Sequence, residues 1–172
     1  MGVEASTNAC DNRRMNPVIR AVNAEDSAAI YELRKQPLVR RYTPALPSDR
    51  PIDYTSKWGP NDHVLVAEID GRVIGYAGLH VRDGKRRHSA WLGIAVHDEF
   101  HGRGAGLALM RGLLDLADNH LALLRVDLEA NADNERAIAM YRRFSFVDEG
   151  ILKKAYFIDG KYVDALLMAR LR

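Results

Sequence analysis

The chain has 172 residues, with 25 basic and 23 acidic side chains and a formal net charge of +2. Hydrophobic residues make up 47% and charged residues 28%, the makeup of one globular domain with a core of its own. The near-balanced charge excludes an electrostatic footprint for nucleic acid, and no apolar run is long enough to span a bilayer. The single cysteine, Cys10, excludes an internal disulfide and fits a reducing cytoplasm.

Residues 1–15, MGVEASTNACDNRRM, lack periodicity and read as a disordered N-terminal tail before one folded domain at 16–172. The start MGVEAS fits a myristoylation pattern, with Cys10 as a second lipid site, but so short a pattern matches often by chance. An unlipidated tail, with Met15 as an alternative initiator, is the simpler reading.

PVIRAV (Pro17–Val22) then predicts a strand. Asn23 to Lys35 predicts a helix, capped by Asn23 and with Ala29, Ile30 and Leu33 on its apolar face. Gln36 to Pro60 carries five of the six prolines and reads as a functional loop or short helical turns rather than a packed element. His63–Val81 predicts a hairpin turning at Asp70-Gly71, with the next turn at Arg82–Arg87. Ser89–His97 is largely apolar and predicts a central strand. A glycine loop and a helix from Ala105 to about His120 follow. Leu123–Ala130 predicts a strand, Asn134–Phe144 an amphipathic helix, and Phe146–Leu171 a second hairpin turning at Asp159-Gly160. Hairpins at both ends around a β-loop-α-β-α section predict an α+β fold with a mixed sheet.

The loop HGRGAG, His101 to Gly106, lies between a strand and a helix. The first amides of a helix have no internal partners, the helix dipole adds partial positive charge, and glycine keeps Cβ atoms out of the way. Arg103 adds charge, so phosphate or pyrophosphate is the predicted ligand. A P-loop would need Lys-Ser/Thr after its last glycine, and Gly106 is followed by Leu107. The dinucleotide fingerprint fails too, because its third glycine would fall on Leu107 or Leu109.

HGRGAG resembles the pyrophosphate loop of the GNAT family of N-acetyltransferases, written Q/R-x-x-G-x-G/A. NERAIAMYRRFSF (Asn134–Phe146) resembles the family's second signature, N-x-x-A-x-x-x-Y-x-x-x-G-F. The likeness runs from Val18 to Leu171, with two departures: His101 replaces Gln or Arg, and Ser145 replaces glycine. It implies a mostly antiparallel sheet of six to seven strands with flanking helices, splayed where acetyl-CoA enters. It further implies acetyl transfer from acetyl-CoA to a primary amine by direct attack.

By this resemblance the backbone of Ile94, Ala95 and Val96 lines the pantetheine and the thioester carbonyl. The amides of Arg103, Gly104, Ala105, Gly106 and Leu107, with His101 beside them, hold the pyrophosphate. Asn134 bonds the pantetheine arm, Ala137 belongs to the same cofactor-binding set, and Tyr141 protonates the leaving thiolate. Glu129, twelve positions before Tyr141, matches the glutamate of ribosomal-protein N-terminal acetyltransferases and is the candidate base. The alternative for Glu129 is a rim carboxylate without a role, and His88 and His97 are weaker candidates.

The segment HDEFH (His97–His101) has two histidines four apart but not the His-Glu-x-x-His order of a zinc helix, so no metal is expected. Lys85, Arg86 and Arg87 form a solvated hairpin tip, not a nucleic-acid site. The Gln36–Pro60 loop is expected to wall the acceptor site, with Tyr42 and Leu46 in contact with substrate and Tyr54, Trp58, Arg40 and Arg41 nearby. The ending of the chain also resembles bacterial enzymes that acetylate free amino acids or similar small amines, which is the preferred acceptor class. Protein N-terminal acetylation, favoured by Glu129, is the alternative, and a non-catalytic acetyl-CoA sensor is a third. A homodimer is compatible with the sequence but no residue specifies it.

Overall fold

Two Asp-Gly pairs set the turns of the sheet. Asp70 and Gly71 have φ of 49° and 76°, and Asp159 and Gly160 have φ of 49° and 78°. Positive φ at both central residues matches the right-handed twist of the flanking strands, which is why this dipeptide makes tight hairpins. The computed structural model describes residues 16–172; the expected tail, its lipidation pattern, Cys10 and Met15 lie outside the described residues.

The strands are β1 (Val18–Ala21), β2 (Asp62–Ile69), β3 (Arg72–Val81), β4 (Ser89–Val96), β5 (Arg125–Asn131), β6 (Val147–Ile158) and β7 (Lys161–Leu171). They form one seven-stranded sheet in the order β1-β2-β3-β4-β5-β7-β6. Every pairing is antiparallel except β4 with β5. That parallel pair covers only Ser89–Trp91 against Arg125–Asp127. Beyond Trp91 the two strands diverge, and the sheet opens as a V. Asp127 is buried at the apex and pairs with both Arg82 and Arg125, closing the V below the opening.

The helices are α1 (Ser27–Arg34), α2 (Pro37–Arg41), α3 (Ala105–Asp115) and α4 (Glu135–Arg143). A wider π-type turn, Leu116–His120, extends α3 to the predicted end. Asn23 and Asp26 form a reciprocal capping box on the turn before α1. Helices α3 and α4 pack on one face of the sheet, where Leu109, Leu113, Leu128, Ile138 and Met168 share a core. Burying Leu109 and Leu113 fully contributes about 1.5–3 kcal/mol each. Helices α1 and α2 cover the other face through Ile30 on Val66 and Val73, and through Leu33 and Val39 on Ala95. Among the described residues no helix is long and apolar enough to cross a membrane.

The segment from Gln36 to Pro60 makes the short helical turns the sequence allowed, α2 and Thr55–Lys57, but it also packs, contrary to expectation. Proline at its first turn starts α2, and Val39, Ala45 and Tyr54 are buried. Its prolines hide this because so short a helix shows no periodicity.

Candidate active site

The glycine loop bridges β4 and α3 at the mouth of the V. Gly102 and Gly104 have φ of 76° and 101°, conformations a side chain would strain. Gly104 is the N-cap, and the first helical bond runs from Ala108 N–H to its carbonyl. The amides of Ala105, Gly106 and Leu107 therefore have no partner within α3. Gly106 serves packing as well: a Cβ there would sit 3.3 Å from Met140 Sδ on α4. The His101 ring latches the loop to the strand, donating from Nε2 to the Val96 carbonyl at 2.7 Å. Burial lowers the pKa of this imidazole, so its neutral form is favoured.

A cleft of about 670 Å³ runs from this loop through the V. Ile94, Ala95 and Val96 line one side, Glu129, Ala130 and Asn131 the other. Helix α4 forms the floor with Asn134, Ala137, Met140 and Tyr141. Asn134 caps α4, its Oδ1 accepting from Ala137 N–H at 3.2 Å, and it also lines the cleft. Tyr141 is 7% exposed and tilts against Phe146; burial pushes its phenol up to about 12. The turn after α4 places Ser145 at φ 65°, the left-handed backbone expected of the glycine it replaces.

The far wall comes from α2, with Leu38, Val39, Tyr42 and Thr43 in the lining. Three bonds position this wall. Asp98, in the turn before the glycine loop, accepts from Leu38 N–H at 2.9 Å. Arg41 bonds Asp133 beside α4 and Asp159 at the β6–β7 tip, each at 2.8 Å.

The acetyltransferase (GNAT) family model matches residues 28–146. The chain belongs to that family. It is 37% identical over 162 residues to the L-amino acid N-acetyltransferase AaaT of Escherichia coli (strain K12), an alignment covering 90% of this chain and 98% of that protein. A GNAT acetyltransferase from Streptococcus pneumoniae superposes with a TM-score of 0.80 at 23% identity, covering 91% of this chain and all of that one, 100%. A Salmonella typhimurium protein solved with acetyl-CoA superposes with a TM-score of 0.76 at 24% identity, covering 90% and 93%.

GNAT enzymes use acetyl-CoA, and the residues of this cleft fit it: free helix amides, two glycines without Cβ atoms, and a sheet open where an extended arm would lie. Of the sites expected from sequence, Ile94, Ala95, Val96, His101, Gly104, Gly106, Leu107, Glu129, Asn134, Ala137, Tyr141 and Tyr42 all line this one cleft. Ala105 is buried in the core and offers only its backbone. The Arg103 guanidinium lies 5.8 Å from the Phe100 ring.

Several expected residues lie elsewhere. Leu46 is exposed and borders a separate, smaller cavity between α1 and α2. Tyr54 is buried beneath α1, and Trp58 packs on Tyr76, because the sheet face needs aromatic cover there. His88 is exposed at the far end of β4, while His97 is buried with Phe100 at 5.6 Å and Arg72 at 3.0 Å. Neither faces the cleft. The family signature did not announce Arg136 and Arg143, which line the cleft two helical turns apart on α4. Their spacing was the available signal, since residues seven apart share a helix face.

Proposed function

We propose that this chain acetylates the amine of a free amino acid or similar small amine, using acetyl-CoA. The observation that carries the acceptor class is the Arg41 clamp. It ties α2 to the β6–β7 tip across the far end of the cleft, where a peptide groove would need these walls apart. The identity to an L-amino acid N-acetyltransferase over nearly its whole length supports the same class.

Acetyl-CoA supplies an acetyl group already activated as a thioester. The unbonded amides at the start of α3, with Arg136 and Arg143 on the facing helix, hold phosphate charge. The amide NH₂ of Asn134 and the open edge of β4 orient the pantetheine arm. Glu129 receives the proton of the incoming amine, directly or through water. Burial, then Glu129, pushes the Tyr156 phenol up, so it remains a donor. Tyr141 stays protonated for the same reason of burial and delivers its proton to the departing thiolate.

Calorimetric titration with acetyl-CoA, followed by thiol release across amino acids, polyamines and short peptides, tests the reading. Binding with release on amino acids is expected. Release only with peptides would transfer the chain to protein N-terminal acetylation, and binding without any release would make it a sensor.

A further inference from the structure

The α1–α2 wall carries a second cavity, on the side of α2 away from the cleft. It holds about 110 Å³ and is bordered by Tyr31, Arg34, Lys35, Arg40, Leu46 and Asp49. Three cations therefore face one anion. Lys35 is engaged with Glu32 at 2.7 Å, and its ammonium lies 5.1 Å from the Tyr31 ring. Arg34 donates from Nη1 to the Tyr76 hydroxyl at 3.1 Å, while its Nη2 is 3.5 Å from Asp49. Arg40 is different. Its guanidinium has no hydrogen bond or ion pair with any described residue, although it is half-buried. The Nε–H groups of both Arg34 and Arg40 are shut from solvent without an acceptor.

Such an arrangement is costly unless something completes it. Each of these two Nε–H groups, though part of a half-buried guanidinium, forfeits its own hydration without gaining a bond in return. Two guanidinium groups beside one small cavity present donors in the fork geometry that suits the oxygens of a carboxylate or phosphate. The volume is several times the share of about 30 Å³ held by one liquid water, which admits one such group and excludes a nucleotide. Asp49 offsets one positive charge and leaves the lining net cationic.

We propose that the cavity between α1 and α2 binds a small oxyanion, a carboxylate or phosphate group, with Arg40 and Arg34 donating to its oxygens. The site is distinct from the phosphate-holding glycine loop, with which it shares no bordering residue. It nevertheless touches the reaction centre through packing. Leu33 beside Arg34 and Val39 beside Arg40 both pack on Ala95, which lines the cleft. An anion held there fixes α2, whose other side is the acceptor wall. Two sources supply this chemistry: an acidic group of the acceptor reaching around α2, or a free anion.

The first arm of the test does not depend on turnover. The full chain is saturated with coenzyme A so that the glycine loop is occupied, and its melting temperature is followed against inorganic phosphate, with chloride at equal ionic strength as control. A rise of about 2–5 °C at saturating phosphate is expected for a domain of this size. Arg40→Met abolishes the rise and Arg40→Lys keeps part of it, which separates lost binding from a folding defect. No rise, or a rise unchanged in Arg40→Met, overturns the proposal.

The second arm rests on the acetyltransferase reading and finds the source. It compares KM for an amino acid acceptor with KM for its carboxamide. If the acceptor supplies the anion, Arg40→Met raises the ratio of the two at least about tenfold, and phosphate competes with the acceptor. If the anion is free, the ratio holds and phosphate acts without competing. Absence of all turnover would sink the acetyltransferase reading, while the melting curves would still decide the cavity.

Discussion

Arg41 and Asp159 stand 118 positions apart in the chain and 2.8 Å apart in space. One guanidinium joins the short helix after α1, the loop before α4 and the tip of the last hairpin. The pair is exposed, so it contributes little to stability. On the proposed reading its effect is positional: it sets the width of the end of the cleft that would take the acceptor. Arg41→Ala is therefore expected to leave the melting temperature nearly unchanged and to raise KM for a small amine roughly tenfold, the scale on which lost positioning shows. Short peptides should gain relative to amino acids in kcat/KM. Steady-state kinetics with both acceptor types checks this, and an unchanged preference would refute the positional role.

Tyr141 combines burial with a place on the cleft floor, and a buried phenol resists ionisation. Tyr141→Phe removes the hydroxyl alone. A fall in kcat of about 100- to 10,000-fold is expected for loss of a general acid. Acetyl-CoA affinity by calorimetry should stay within about twofold, because the ring remains. Stability carries a second signature. The folded phenol keeps its proton to about 12 while the unfolded one releases it near 10. Its contribution is thus complete below about pH 10 and is lost as pH rises from there through about 12. Denaturant melts of both proteins across that window should show a steeper fall in the native sequence than in Tyr141→Phe, the remainder coming from Tyr156, whose phenol is also pushed up.

The sequence made the sheet legible where local chemistry decides local shape. Both Asp-Gly turns, the Asn23 cap and the strand–glycine–helix unit follow from a few adjacent residues. The cleft residues on β4, the loop and α4 were legible because the family's two signatures fix them in register. What escaped depends on distant parts of the chain. Helix α2 is held by Asp98 and by packing on Ala95, not by its own periodicity. Trp58 and Tyr54 looked like acceptor contacts because loop aromatics often are; the face beneath α1 claimed them instead. Arg40 and Arg41 are neighbours in sequence, yet Arg40 borders the cavity between α1 and α2 while Arg41 bonds Asp133 and Asp159, a divergence no spacing rule foresees.

Ser145 occupies a left-handed position at φ 65° where only glycine is free of strain. The turn it makes is well bonded, with Phe146 N–H reaching the Tyr141 carbonyl at 3.2 Å, so the conformation is imposed by its surroundings. Ser145→Gly should relieve this strain and stabilise the fold by about 0.5–1 kcal/mol, after the added freedom of the unfolded chain is counted. That corresponds to a gain of about 1–4 °C in Tm for a domain of this size. A differential scanning melt that showed a loss would mean the Ser145 side chain stabilises the turn in a way its backbone does not reveal.

His101 is the departure from the family loop whose consequence is most readily separated into parts. Its Nε2–H bond to the Val96 carbonyl fixes the glycine loop against β4, and its burial favours the neutral ring. A histidine whose folded pKa lies below the usual value of about 6.5 binds fewer protons folded than unfolded. Its share of stability is therefore complete above about pH 6.5 and is lost as pH falls toward the folded value. Acetyl-CoA binding should weaken over the same acidic range if loop geometry depends on the ring. His101→Gln keeps a donor for Val96 but cannot titrate, so affinity should hold and the acidic loss should flatten. His101→Ala removes the donor and leaves the Val96 carbonyl without its partner, with an expected loss of about 5- to 20-fold in acetyl-CoA affinity. Calorimetry on the three proteins between pH 5 and 8 distinguishes the terms. Equal pH dependence in the native and Gln forms would assign the titration to another group.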